Sequence, residues 1–208
     1  TTEKEMDLFT SGDVIGKKIT AEVCVHHMHF NDSYYSELGN QIKCNPSIKE
    51  ESDRLALIKA LHDNKIDIIA TDHAPHTWDE KMSDYRDAPA GLPLVQHGLQ
   101  ILMDFYHQDI LSLETIVEKT SHNVAKRFQV KDRGYIREGY YADLAILDID
   151  KPYTVSEENI LYKCGWSPFS GKTFNSSIYM TIVNGHVAFK DGQITENLPF
   201  GMQIEFDR

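Results

Sequence analysis

The sequence predicts an α/β fold over residues 1–130 and a smaller β domain over residues 131–208. Strand-like and helix-like periodicities alternate from the start to about Phe128, which favours a parallel sheet with functional groups at the C-terminal ends of its strands. The first two apolar strand runs both end in His- or Asp-bearing polar stretches. After Gly134 the pattern changes to short β-like runs separated by turn residues.

Taken in order, TTEKEMDLF opens the chain with a helix-like stretch. KITAEVCV places Ile19, Ala21, Val23 and Val25 on one side, the period of a strand that ends at His26, His27 and His29. From Ser52, a natural N-cap, Leu55, Ile58 and Leu61 recur at helical spacing. Ile66, Ile68 and Ile69 form a short buried strand ending at Thr71 and Asp72. Leu92, Val95, Leu99, Leu102, Met103 and Tyr106 return to helical spacing, and Ser112 caps a further helix through Ile116 and Val117. Two strands cannot close a barrel. In the β part, YADLAILDI and YMTIVNGHVAFKDG carry hairpin turn signals at Asn184-Gly185 and Asp191-Gly192.

Composition narrows the function classes. A length of 208 residues with 41% hydrophobic residues suffices for one large core or two small ones. A net charge of −11, from 21 basic against 32 acidic residues, argues against nucleic acid and anionic membrane surfaces as partners. No apolar run approaches the roughly 20 residues of a membrane-spanning helix. Cys24, Cys44 and Cys164 lie far apart with no C-x-x-C, which suggests neither a disulfide framework nor a cysteine zinc site and makes a reducing cytoplasm the simplest compartment.

The stretch IATDHAPHTWDEK carries the chemistry. Asp72, at the carboxyl end of a buried strand, suits a metal ligand or a base, and equally a helix cap. Pro75 stiffens the loop, His76 follows four residues after Asp72, and Asp79, Glu80 and Lys81 continue a polar stretch. Residues 77–88 read as a polar loop, either a lid over bound substrate or equally a plain solvated loop.

TDHAPHTWDEK with a downstream APAGLP closely resembles the dihydroorotases of the amidohydrolase superfamily. ITAEVCVHH is similar to that family's TAEV-x-PHH segment, KCNPSIKEESDRLALIKAL to its MNPPLR segment, and SHNVAKRF to its N-P-A-x-x-F helix end. GYIREGYYADLAILD, SPFSGKTF and TIVNGHVAFKDG resemble the small β domain beside the barrel. TDHAPH is close to diagnostic, whereas the G-x-I-x-x-G-x-x-ADL segment is common to many amidohydrolases. Departures are Val25 and Val124 for Pro, Ser47 and Ile48 for Pro-Leu, and Lys49 for Arg. The resemblance implies the C-terminal part of a (β/α)8 TIM-like metal-dependent hydrolase barrel plus a small β-sandwich domain.

By this resemblance, Asp72 would ligate the more buried zinc of a two-zinc centre and accept the proton of the attacking hydroxide, later delivering it to the leaving nitrogen. His76 would hold the substrate carboxylate. Asn45 and the backbone at Ala90 and Gly91 would hydrogen-bond the dihydropyrimidine ring, with Gly91 permitting close approach. His73 suits a residue that orients a metal ligand from behind, or a hydrogen-bonded structural histidine. Strand alternation would send His26 and His27 to opposite faces, so they read as structural, with His27 a candidate for the same orienting role. His62, His97, His107, His122 and His186 read as ordinary.

Dihydroorotases of this type also need an N-terminal His-x-His, a bridging carboxylated Lys or Asp, and two further His, none of which is found in these residues. The expectation is therefore the C-terminal half of a longer enzyme, its first residue being Thr1. Alone, these residues are expected to bind no zinc pair and to turn over nothing. The implied activity is zinc-dependent interconversion of dihydroorotate and N-carbamoyl-aspartate in pyrimidine synthesis, by a homodimer or with a carbamoyltransferase partner. The alternatives are another cyclic amidohydrolase, a hydantoinase or allantoinase, or a non-catalytic scaffold for a carbamoyltransferase.

Overall fold

Two short strands, β1 (Glu22–Cys24) and β2 (Ile68–Ala70), lie parallel, with Glu22 opposite Ile68, Val23 opposite Ile69 and Cys24 opposite Ala70. The computed structural model describes residues 1–195 and 201–207. Parallel strands need a crossover connection, and this one holds α1 (Val25–His29), α2 (Tyr35–Leu38) and α3 (Glu51–His62). After β2 come α4 (Trp78–Lys81), α5 (Gly98–His107), α6 (Leu113–Val117) and α7 (Asn123–Phe128). The β part follows as β3 (Leu144–Asp148), β4 (Tyr153–Thr154), β5 (Thr173–Phe174), β6 (Ser177–Val183), β7 (His186–Lys190) and β8 (Gln193–Ile194).

The chain divides into two units: Thr1–Ile101 with Thr154–Lys172, and Leu102–Tyr153 with Thr173–Arg208. In the first, Val23, Ile68 and Ile69 of the strands are buried together with Leu57, Ala60 and Leu61 of α3 and the loop residues Leu92 and Leu94. Each such aliphatic side chain contributes about 1.5–3 kcal/mol on burial, so this core outweighs the modest pairing of a two-stranded sheet. The strands are tied where they begin. The buried Asp67 carboxylate accepts from the Ala21 N–H (2.9 Å) and pairs with Lys17 Nζ (2.6 Å).

Several sequence expectations for this unit are corrected. The opening stretch is helical as expected, though as a 3-10 helix, Glu3–Leu8, in which the Glu5 carboxylate accepts from the Thr2 N–H (2.9 Å). The first strand stops at Cys24, and Val25–His29 winds into a short helix, so the alternation argument for His26 and His27 does not apply. The N-cap of α3 is Glu50 rather than Ser52, and its buried face is Leu57, Ala60 and Leu61, while Leu55 is 52% exposed. Residues 92–97 are not helical, and α5 starts only at Gly98. Residues 77–88 are not a plain loop. Thr77 caps α4 through a reciprocal pair, its hydroxyl accepting from the Glu80 N–H while the Glu80 carboxylate accepts from the Thr77 N–H (2.9 Å).

In the second unit, Ser112 caps α6 as expected, its hydroxyl accepting from the Thr115 N–H (3.2 Å). A π-helical turn, Glu118–His122, leads into α7, which ends at Gln129 in the left-handed region (φ 56°). Four antiparallel strands in the order β3-β6-β7-β8 make one sheet. Val183 pairs with His186 and Lys190 with Gln193, so both hairpins close on two residues. Asn184 and Gly185 have φ of 50° and 81°, and Asp191 and Gly192 of 48° and 85°, the signs of type I′ turns.

Candidate active site

The strands β1 and β2 run parallel in register, so the residues that follow them emerge at the same edge of the sheet. Cys24, His26 and His27 leave β1 there, and Thr71 and Asp72 leave β2. Asp72 sits at φ 46°, a backbone conformation that costs a non-glycine residue roughly 1 kcal/mol or more. Its side chain is exposed and makes no hydrogen bond or ion pair among the described residues. The Asp72 charge nonetheless reaches its neighbours. It adds to burial in raising Glu22 and in pushing the Cys24 thiol up to about 12, and it opposes the burial that lowers His27.

His26 and His27 are both buried, with ring centroids 4.2 Å apart. His27 Nε2–H donates to the Pro46 carbonyl (2.9 Å) and lies 4.0 Å from Cys44 Sγ. Among the described residues neither ring nitrogen of His26 has a hydrogen-bond partner of good geometry, although the Thr71 backbone lies near enough to favour the charged ring slightly, and burial pulls that imidazole down to about 3. Donor atoms of Cys24, His26 and His27 lie within 4.8 Å of one another, close enough to hold a metal ion after small rotations. Strand alternation sets His26 and His27 aside as structural, and Cys24 is weighed only for C-x-x-C. The signal was the local C-x-H-H.

The remaining candidates are brought together on loops. Asn45 is exposed and follows the buried Cys44. The Gly91 N–H donates to the Lys43 carbonyl (2.9 Å), which ties the Ala90-Gly91 segment to the Asn45 segment. Gly91 has φ 141°, and a Cβ there would stand 3.3 Å from His76 Nε2 and 2.6 Å from Ala74 Cβ, so no side chain fits between them. Trp166 Nε1–H donates to the His76 carbonyl (2.8 Å) and fixes that residue's backbone. Asn45, His76, Ala90 and Gly91 therefore belong to one connected group of loops.

His73 points elsewhere. Its Nδ1 accepts from the Leu94 N–H (3.0 Å) and the Val95 N–H (3.2 Å), while Ala74 N–H donates to the Leu92 carbonyl (3.0 Å). Burial lowers its pKa, in keeping with a ring nitrogen used as an acceptor. His97 is fully buried, and its Nδ1 is hydrogen-bonded to Ser167 Oγ (3.2 Å), which makes it a core residue rather than a surface one. Lys81 is the residue that sequence reasoning missed most completely. It is fully buried beneath the loops that carry Asn45 and Gly91.

A strand-end carboxylate, a buried group of two imidazoles and a thiol, and a glycine packed tightly against Ala74 and His76 are gathered in one unit of an α/β chain. The chain belongs to the amidohydrolase family, whose profile matches residues 3–188. Among curated relatives, it is 38% identical over 178 residues to a dihydroorotase of Clostridium acetobutylicum, covering 85% of this chain and 42% of the relative. It is 36% identical over 176 residues to a dihydroorotase of Pyrococcus abyssi, covering 85% and 42%. The chain thus spans less than half the length of these relatives. Among solved structures it resembles the L-hydantoinase of Arthrobacter aurescens, with a TM-score of 0.85 at 23% identity over 98% of this chain and 46% of that one. A D-hydantoinase matches with a TM-score of 0.80 at 18% identity, over 94% and 44%. These structures establish an α/β amidohydrolase fold.

Proposed function

We propose that this chain supplies the C-terminal part of a metal-dependent cyclic amidohydrolase, specifically a dihydroorotase interconverting dihydroorotate and N-carbamoyl-aspartate in pyrimidine synthesis. The observation that carries the reading is the convergence of Asn45, His76 and Gly91 from three separate segments onto one group of loops in the unit that also holds Asp72. Dihydroorotase relatives at 31–38% identity support the substrate class.

Asp72 has the properties of a ligand awaiting its ion. It is an exposed carboxylate at a strand end, held at positive φ and free of partners among the described residues, and its oxygen donors suit zinc or a similar divalent metal. When bound, such a metal brings the pKa of water toward roughly 7 and so supplies a nucleophile at neutral pH. Asp72 takes the proton of the attacking water and returns it to the ring nitrogen as the amide C–N bond breaks. His76 donates to the substrate carboxylate, and Asn45 and the main chain at Ala90 and Gly91 hydrogen-bond the ring. Residues 1–130 form part of the (β/α)8 barrel, and residues 131–208 contribute their four-stranded sheet to a small β-sandwich. The compartment is the cytoplasm, and the assembly a homodimer or a complex with a carbamoyltransferase.

The test is turnover by the full-length protein of dihydroorotate, hydantoin and allantoin in parallel. A kcat/KM for dihydroorotate at least tenfold above the other two is the expected result. Preference for hydantoin, the substrate named for the structural neighbours, would move the reading to that branch.

A further inference from the structure

Lys81 is the last residue of α4 and is fully buried. An ammonium in such a place is costly unless its protons are all met. They are met here by three main-chain carbonyls, with Nζ donating to Lys43 (2.8 Å), Pro89 (3.0 Å) and Gly91 (2.7 Å). It has no carboxylate partner among the described residues. Lys81 therefore makes no ion pair. It clamps two loops.

Those loops are the ones that carry the proposed ligand contacts. The Lys43 carbonyl, two residues before Asn45, accepts from both Lys81 Nζ and the Gly91 N–H (2.9 Å). Pro89 and Gly91 flank Ala90 on either side. At its other end, α4 is capped by Thr77, whose reciprocal pair with Glu80 fixes the helix start directly after His76. A four-residue helix thus joins His76 at one end to the Asn45 and Ala90-Gly91 segments at the other.

We propose that Lys81 is a positioning residue that holds Asn45, His76 and the Ala90-Gly91 main chain in one ligand-binding geometry, acting from beneath those loops without touching the ligand. The assignment of those three contacts rests on the function proposed above. The clamp itself does not. Methionine at this position would keep the length and apolar stem of the side chain and remove every donor. Arginine would keep the charge, but its planar fork cannot reproduce three donors diverging from one nitrogen.

The experiment takes the full-length enzyme with Lys81→Met and Lys81→Arg, and reads steady-state kinetics on dihydroorotate together with amide hydrogen exchange. The expected result for Lys81→Met is a KM raised at least tenfold with kcat within threefold, and faster exchange confined to residues 43–45 and 88–92. Lys81→Arg should fall between it and wild type. Unchanged exchange in both segments overturns the proposal, as does an unchanged KM in a folded variant. If Lys81→Met does not fold, the arginine variant decides by the same readings. If wild type leaves dihydroorotate untouched, the functional reading has failed, and the exchange measurement alone judges the clamp.

Discussion

Gly91 and His76 are built against each other: a Cβ on Gly91 would lie 3.3 Å from His76 Nε2, 2.6 Å from Ala74 Cβ and 2.7 Å from the Ala74 carbonyl oxygen. Two of those three atoms are backbone or directly attached to it, so they cannot swing aside. The φ of 141° adds strain for any residue with a side chain. Gly91→Ala should therefore cost about 1–3 kcal/mol from overpacking. It should also displace His76 and raise KM for a carboxylate-bearing substrate more than tenfold. Chemical denaturation and steady-state kinetics of the full-length protein check the two parts separately. A stable variant with unchanged KM would show that His76 and Gly91 do not share a ligand.

Asp72 offers the opposite case, because nothing among the described residues depends on it for folding. Asp72→Asn keeps the size of the side chain, and its exposed position predicts a change in unfolding free energy within about 0.5 kcal/mol. As metal ligand and proton carrier, however, it should be essential. The expected outcome is a fall in kcat of at least about 10²-fold, together with loss of bound metal. Metal analysis of the purified full-length variant beside its kinetics checks this. Full activity in the amide would remove Asp72 from the chemistry.

His97 predicts how stability responds to acid. Burial pulls its pKa from the ordinary value of 6.5 down to about 4. The unfolded chain therefore binds a proton in a window where the folded chain does not, and stability is lost as pH falls from about 6.5 to about 4. The full effect is of the order of 3 kcal/mol. His97→Gln should flatten the slope of unfolding free energy against pH within that window and leave it unchanged above pH 7. Urea titrations at several pH values measure both slopes. Parallel slopes for variant and wild type would contradict the linkage.

The sequence made some features legible because they depend on local chemistry. The two-residue turns at Asn184-Gly185 and Asp191-Gly192, the Ser112 cap and the strand ending before Asp72 all follow from residues within a few positions. Other features depend on what lies across the fold. Alternation through Val25 could not show that the chain leaves the sheet at Cys24, because the end of β1 is set across the sheet, where its pairing with β2 runs only to Ala70. Helical spacing located α3 but chose Leu55, which is exposed, over Leu57, which is buried, since apolar residues lie on both faces. Lys81 reads as one more solvated charge. Its partners are backbone carbonyls from distant segments, and a sequence displays no carbonyls.

His73 had two roles open to it, and its hydrogen bonds separate them by experiment. Nδ1 accepts from two backbone N–H groups, Leu94 and Val95, and so joins the loop after β2 to the segment before α5. Asparagine can place an acceptor oxygen close to where Nδ1 sits, whereas alanine leaves the buried Leu94 N–H unpaired. The unpaired donor costs about 1–3 kcal/mol. If His73 is a structural tie, His73→Ala should lose that stability and His73→Asn should keep most of it, with kcat following the folded fraction in both. If His73 instead orients Asp72, both variants should lose metal affinity by about 10-fold or more while folded. Denaturation curves and metal titration on the same two full-length proteins decide it, and the geometry favours the tie.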